Sequence, residues 1–185
     1  MKQLAKYFLA FVPKGTIQEK AQILKDQIKS DFGVKYALKS PAHVTVKMPF
    51  IFNEKKEQVL IESIQNFTRL YEPFSVQVSG LDTFGRRVIF WDILPNSALH
   101  SFQSDLKVFC KRELKLVDEL ADNNYHPHMT IAFKDLKEKN FDNVMELVRK
   151  SQISDEFLAN ELSLLKRIED RWVEISRIKM KAPEN

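Results

Sequence analysis

Apolar residues follow two spacings along this chain, and the order of those spacings predicts its elements. Residues 4–12 read as a strand closed by Pro13-Lys14-Gly15. Residues 16–30 read as a helix with Thr16 as N-cap, Glu19 three residues on, and Ile17, Ala21, Leu24 and Ile28 on the apolar face. Residues 43–48 alternate as a strand, 54–70 place Val59, Leu60, Ile64 and Phe67 at helical spacing, and 74–80 alternate again. After a turn at Gly85 the order repeats. Residues 86–94 read as a strand stopped by Pro95-Asn96, and Ser97 caps a helix running to about 116 through Leu99, Phe102, Leu106 and Phe109. Residues 128–133 read as a strand, 138–150 as a helix, 156–167 as a strand, and 171–180 as one strand more.

Each half is therefore β-α-β-α-β. Residue identity between the halves is slight, so the repeat rests on element order. The expectation is an α+β protein: a bilobed, pseudo-symmetric duplication of β-α-β-α-β units, about 1–82 and 83–185, within a single domain covering 1–185. Two antiparallel-rich sheets form a central cleft, with helices outside.

Composition supports this and assigns little else. The 185 residues are 44% hydrophobic, with fourteen Phe against four Gly, enough to fill a core with little slack. Cys110, the lone cysteine, has no intramolecular partner, and among Leu106, Val108 and Phe109 it reads as core filler in a reducing, cytoplasmic setting. The apolar run 7–12 is too short to span a membrane, and no membrane partner is expected. A net charge of +4 permits an anionic ligand without requiring one, and no Lys/Arg block resembles a nucleic-acid tail. Gly-rich phosphate loops, CxxC pairs and HExxH are absent from the sequence.

Two short segments stand at equivalent places in the repeat: Pro41-Ala42-His43-Val44-Thr45-Val46-Lys47-Met48 and His126-Pro127-His128-Met129-Thr130-Ile131-Ala132-Phe133. On a strand, residues i and i+2 share a face. His43, Thr45 and Lys47 are thus expected on one face, and His126, His128, Thr130 and Ala132 on one face of the second strand. A single His-x-Thr is commonplace. Two in a chain with four His and five Thr arise by chance in roughly one composition-matched chain in 200, so coincidence is the poorer reading. Brought to one cleft, two imidazoles suit a reaction that needs base and acid near neutrality, since an ordinary His titrates near 6.5. The Thr45 and Thr130 hydroxyls can donate to phosphate oxygens. Lys47 is a candidate to add charge, although a solvated strand-end Lys is the plainer reading.

The paired His-x-Thr motifs, 128 − 43 = 85 residues apart, resemble the two-histidine (2H) phosphoesterase superfamily, particularly its 2',5' RNA ligase-like branch. That resemblance implies a metal-independent, cofactor-free enzyme acting on RNA ends or small cyclic nucleotides. It implies opening of a 2',3'-cyclic phosphate to a 2'-phosphate, with 2',5' RNA ligation as a further activity. It further implies that His43 protonates the departing 3' oxygen, that His128 activates water, and that Thr45 and Thr130 hold the non-bridging oxygens. Val46 and Ile131 follow the threonines where the family often has Leu, a conservative departure.

His126 is an extra imidazole that could orient phosphate, or simply a loop histidine before Pro127. A nucleobase needs stacking aromatics, for which Tyr125, Phe50 and Phe84 are candidates. Arg86 or Arg87 stands at the neighbouring strand start, and alternation leaves open which faces in. Two other classes remain in view. One is a non-catalytic binder of RNA ends or phosphorylated nucleotides. The other is a zinc hydrolase using His43, His126 and His128, which lacks a nearby carboxylate or Cys ligand. Oligomeric state is left open, with a monomer expected.

Overall fold

The computed structural model describes residues 3–182. Its elements run β1 (Leu4–Phe11), α1 (Thr16–Phe32), β2 (Val44–Asn53), α2 (Glu57–Thr68), β3 (Phe74–Phe84), β4 (Val88–Ile93), α3 (Ser97–Arg112), α4 (Leu120–Asn123), β5 (His128–Ala132), α5 (Phe141–Lys150), β6 (Ser154–Ala159), β7 (Glu161–Ile168) and β8 (Arg171–Lys179). Short 3-10 turns cover Tyr36–Lys39, Glu54–Lys56 and Glu138–Asn140, so the segments predicted as helices 54–70 and 138–150 each begin in a tighter turn.

The strands form two four-stranded antiparallel sheets, ordered β2-β1-β7-β8 and β5-β4-β3-β6. The α+β expectation with two antiparallel sheets is correct, and the outer edges β2 and β5 carry the two motifs. The third strand of the first half, β3, joins β4 of the second, while β7 joins β1. Residues 156–167 were expected to be one strand. They are two, because the chain leaves one sheet at Ala159 and enters the other at Glu161.

Alternation in β1 sorts its side chains. Tyr7, Leu9 and Phe11 enter a large core with the inward faces of α1, α2, α3 and α5, including buried Ile17, Ile64, Leu106 and Val144. Phe8, Ala10 and Val12 lie on the other face with Leu165 and Trp172. Cys110 is a free, buried thiol in the main core, as its neighbours suggested. Among the described residues no helix is long and apolar enough to cross a membrane.

Two expected caps move by one residue. Gly15 is the N-cap of α1 at φ 68, a conformation that would strain a threonine, so Thr16 is the first helical residue and makes no side-chain cap. Asn96, rather than Ser97, caps α3: its side chain accepts from the Leu99 amide at 2.9 Å and donates to the Ser75 carbonyl at 2.7 Å.

The irregularity that matters for the site recurs in both motif strands. In β2, Ala10 opposes Thr45 while Leu9 opposes Lys47. In β5, Phe90 opposes Thr130 while Ile89 opposes Ala132. In each, an extra residue follows the threonine, Val46 in one and Ile131 in the other. Such a bulge switches the face of everything beyond it.

Candidate active site

The bulges decide which motif residues reach the cleft. His43, Thr45, His128 and Thr130 all line one cavity of about 580 Å³ between the sheets. Lys47, beyond the first bulge, turns into the core instead. It is 1% exposed, donates to the Val117 carbonyl at 3.0 Å and forms an ion pair with Asp122, with Asp118 at 3.8 Å. The expected shared face of His43, Thr45 and Lys47 is therefore broken after Thr45. Ala132 is likewise buried in the core, and Phe133 lines the cleft in its place.

Each histidine is oriented by its own chain. The His43 Nδ1 lies 2.7 Å from the Pro41 carbonyl oxygen, and the His128 Nδ1 lies 2.8 Å from that of His126. A carbonyl only accepts, so both Nδ1 atoms carry the proton and both Nε2 atoms are left for chemistry. The segment before β2 is further clamped by α1: the Gln18 side chain accepts from the Ala42 amide at 2.7 Å and donates to the Ala42 carbonyl at 3.1 Å. Lys25, buried on the same helix, reaches the Ser40 carbonyl at 3.4 Å, and its burial lowers its pKa to about 8.

Burial lowers the His43 pKa to about 4, with the charges of Lys25 and His128 acting in the same sense and the Pro41 carbonyl opposing. Burial also lowers that of His128, against the pull of the His126 carbonyl. With both pKa values lowered from 6.5, both imidazoles are neutral near pH 7. His43 has the Phe8 ring at 4.9 Å, and His128 has Phe84 and Phe90, each at 4.9 Å.

A second cavity of about 90 Å³ adjoins His128 and Thr45, lined also by Met48, Phe84, Tyr125 and His126. Phe84, Tyr125 and His126 thus lie beside His128 and Thr45. The Tyr125 hydroxyl is buried with no hydrogen-bond partner among the described residues.

Three other candidates are corrected. Phe50 is buried in the main core against Tyr7, because the second extra residue of β2 restores its parity with the core side. Arg86 lies outside the cleft: it forks onto Asp142 at 2.9 and 2.8 Å, reaches Glu138 at 2.6 Å and covers the Phe141 ring at 4.4 Å, pinning the β3–β4 turn to α5. Arg87 is exposed in that turn and lines neither cavity; Phe84 and Val88, on either side of the turn, line the cleft.

The cleft also contains residues that pattern reading did not find: Lys6, Tyr36, Lys39, Lys134, Arg167 and Trp172. They come from five separate segments, and single basic residues at strand ends carry no sequence signal. Period two does set Phe8, which also lines the cleft, opposite Tyr7 and Leu9, on the same face of β1 as Lys6. Among the described residues, no group of three or more His, Cys, Asp or Glu side chains is placed to hold a metal ion.

Residues 16–171 match the model of the 2'-5' RNA ligase superfamily. A protein named as a candidate phosphoesterase in Oceanobacillus iheyensis is 25% identical over 167 residues, covering 89% of this chain and 91% of that one. The fold is shared with a Thermus thermophilus protein, TT0787, at TM-score 0.66 and 12% identity over 97% of this chain and 100% of that one. It is also shared with E. coli LigT in complex with 3'-AMP, at TM-score 0.63 and 15% identity over 97% and 100%.

Proposed function

The chain belongs to the 2'-5' RNA ligase superfamily of 2H phosphoesterases, and on that premise we propose that it opens 2',3'-cyclic phosphate ends of RNA or nucleotides to 2'-phosphates. The observation that carries this reading is the matched pair of histidines, each with Nδ1 tied to a carbonyl two residues back and Nε2 free, in one cleft with two threonines.

The chemistry needs one neutral and one protonated imidazole. The neutral Nε2 of His128 takes a proton from water as the water oxygen bonds to phosphorus. The P–O3' bond breaks, and protonated Nε2 of His43 gives its proton to O3', leaving a 2'-phosphate and a 3'-hydroxyl. Thr45 and Thr130 donate to the non-bridging oxygens, where charge accumulates. Burial keeps both imidazoles neutral near pH 7, so the proton on His43 is stabilised by the phosphodiester anion as it binds. A 5'-hydroxyl in place of water would form a 2',5' linkage through the same steps. That LigT, a protein of this fold, is solved in complex with 3'-AMP supports a nucleotide ligand.

The test is turnover of a 2',3'-cyclic mononucleotide, with product assigned by phosphorus NMR, in the presence and absence of EDTA. A 2'-phosphate product, insensitivity to chelator and loss of turnover in His43→Ala and His128→Ala are expected. Tight binding with unaltered ligand would select the non-catalytic binder, and turnover abolished by EDTA and restored by zinc would overturn the mechanism.

A further inference from the structure

The main cleft is charged in one sense only. Lys6, Lys39, Lys134 and Arg167 line it, and among the described residues no carboxylate does.

Three of them are held together. Lys39 and Lys134 set their ammonium groups 4.6 and 4.4 Å from the centre of the Tyr36 ring, and Lys134 donates to the Tyr36 hydroxyl at 2.8 Å. Lys39 and Arg167 share the carboxylate of Asp170, and Arg167 lies 5.5 Å from the Trp172 ring centre. Three cations against one carboxylate leave 3 − 1 = +2, and Asp170 is 67% exposed, so solvent weakens its compensation. Like charges gathered in this way favour an anion between them.

The backbone holds the cluster ready. Lys134 adopts φ 59, a left-handed conformation uncommon for a residue with a Cβ. The next residue, Asp135, accepts from the amides of Lys35 at 2.8 Å and Tyr36 at 3.0 Å, fastening the end of β5 to the Tyr36–Lys39 turn.

The two histidines and two threonines account for one phosphate, and a cleft of about 580 Å³ is far larger than one phosphate needs. We propose that Lys39, Lys134 and Arg167 bind a second phosphate of the same substrate, an assignment that rests on the cyclic-phosphate reading above. The ligand class is a cyclic-phosphate nucleotide carrying a further phosphate, supplied either by a 5'-phosphomonoester or by the internucleotide phosphodiester of an RNA end.

The experiment measures kcat/KM at constant ionic strength for adenosine 2',3'-cyclic phosphate, its 5'-phosphorylated form, and a dinucleotide with a cyclic-phosphate end. Wild type is expected to favour one phosphorylated substrate over the 5'-hydroxyl form at least tenfold, and which one identifies the source of the phosphate. Lys134→Ala and Arg167→Ala should bring that ratio towards unity, whereas Asp170→Asn should raise it. Because the ratio is internal to each variant, partial unfolding lowers both rates and leaves it unchanged. A wild-type ratio within twofold for both phosphorylated substrates, or a ratio unmoved in Lys134→Ala and Arg167→Ala, overturns the proposal. If wild type turns over none of the three, the cyclic-phosphate reading fails by itself. The second-phosphate site is then decided by calorimetry: adenosine 2'-phosphate with and without a 5'-phosphate should differ at least tenfold in Kd on wild type and not on Lys134→Ala, and equal Kd on wild type overturns it.

Discussion

The Nδ1 atom of His43 lies 2.7 Å from the carbonyl oxygen of Pro41, two residues earlier, and this short loop back to the chain fixes which ring nitrogen can exchange protons. His128 repeats it with His126 at 2.8 Å. Nitrogen-15 NMR of the ligand-free protein at pH 7.5 is expected to show both rings neutral and protonated at Nδ1. A ring protonated at Nε2 would place its carbonyl contact in conflict with the geometry. Positioned acid–base groups each contribute about 10²–10⁴-fold. His43→Ala and His128→Ala should each lower kcat by that order, with the double variant little worse than either single one, because the two act in one step.

Stability and activity should depend on pH with a sign set by burial. The folded pKa of His43 is lowered to about 4 from an ordinary 6.5. Above pH 6.5 the ring is neutral whether the chain is folded or not, and its contribution to stability is fully present. As pH falls from 6.5 towards 4 the unfolded chain gains a proton that the folded one refuses, and up to about 3 kcal/mol is lost. His128, lowered in the same direction, adds to the loss. Urea unfolding of wild type and His43→Gln at pH 7.5 and 4.5 isolates the His43 part: the acid-side loss should be smaller in the variant. In turnover, both limbs of the kcat/KM bell belong to the free enzyme and should fall below those of kcat, where the bound anion raises the histidine pKa values.

How far the sequence revealed this site depends on range. Two His-x-Thr segments at equivalent points in an alternating order of elements were enough to bring four side chains to one cleft, because period two holds from His43 to Thr45 and from His128 to Thr130. It fails one residue later. The extra residues Val46 and Ile131 are ordinary β-branched strand formers, and nothing in their identity announces that they are unpaired. Lys47 and Ala132 therefore face the core against the expectation of simple alternation. The passage from β6 to β7 at Asn160 was hidden for a related reason: only the polar pair Asn160-Glu161 marks it, with no Gly or Pro, and pattern does not say which sheet a strand joins. Arg167 and Trp172 reach the cleft only through that crossing.

The threonines should act on turnover more than on fold. Thr45 and Thr130 are partly exposed to the cleft. Valine keeps the shape and β preference of threonine while removing the hydroxyl. If each hydroxyl donates to an oxygen whose charge grows in the transition state, Thr45→Val and Thr130→Val should each lower kcat tenfold or more while KM moves less. Equal losses in substrate and product affinity with kcat unchanged would instead assign them to ground-state binding.

Lys47 and Asp122 tie the first motif strand to the short helix that precedes the second. Their side chains are each 1% exposed, and Asp122 also accepts from the amides of Met48 at 2.8 Å and Glu119 at 2.9 Å, while Gln103 donates to the Asp122 carbonyl at 3.0 Å. One carboxylate thus grips β2 just beyond Thr45 and the short helix α4 that leads into His128. Removing one member of a buried pair leaves a charge without its counterion, a change that costs about 3–5 kcal/mol. Lys47→Met should therefore destabilise the fold by about that amount in urea. Lys47→Met combined with Asp122→Asn removes both charges, keeps an oxygen for the Met48 amide, and should recover part of the loss. The recovered protein is the sharper probe of the site. With the fold restored and the ionic link still absent, kcat for a cyclic phosphate should remain depressed if the pair sets the spacing of the two histidines. It should return with stability if the pair serves the core alone.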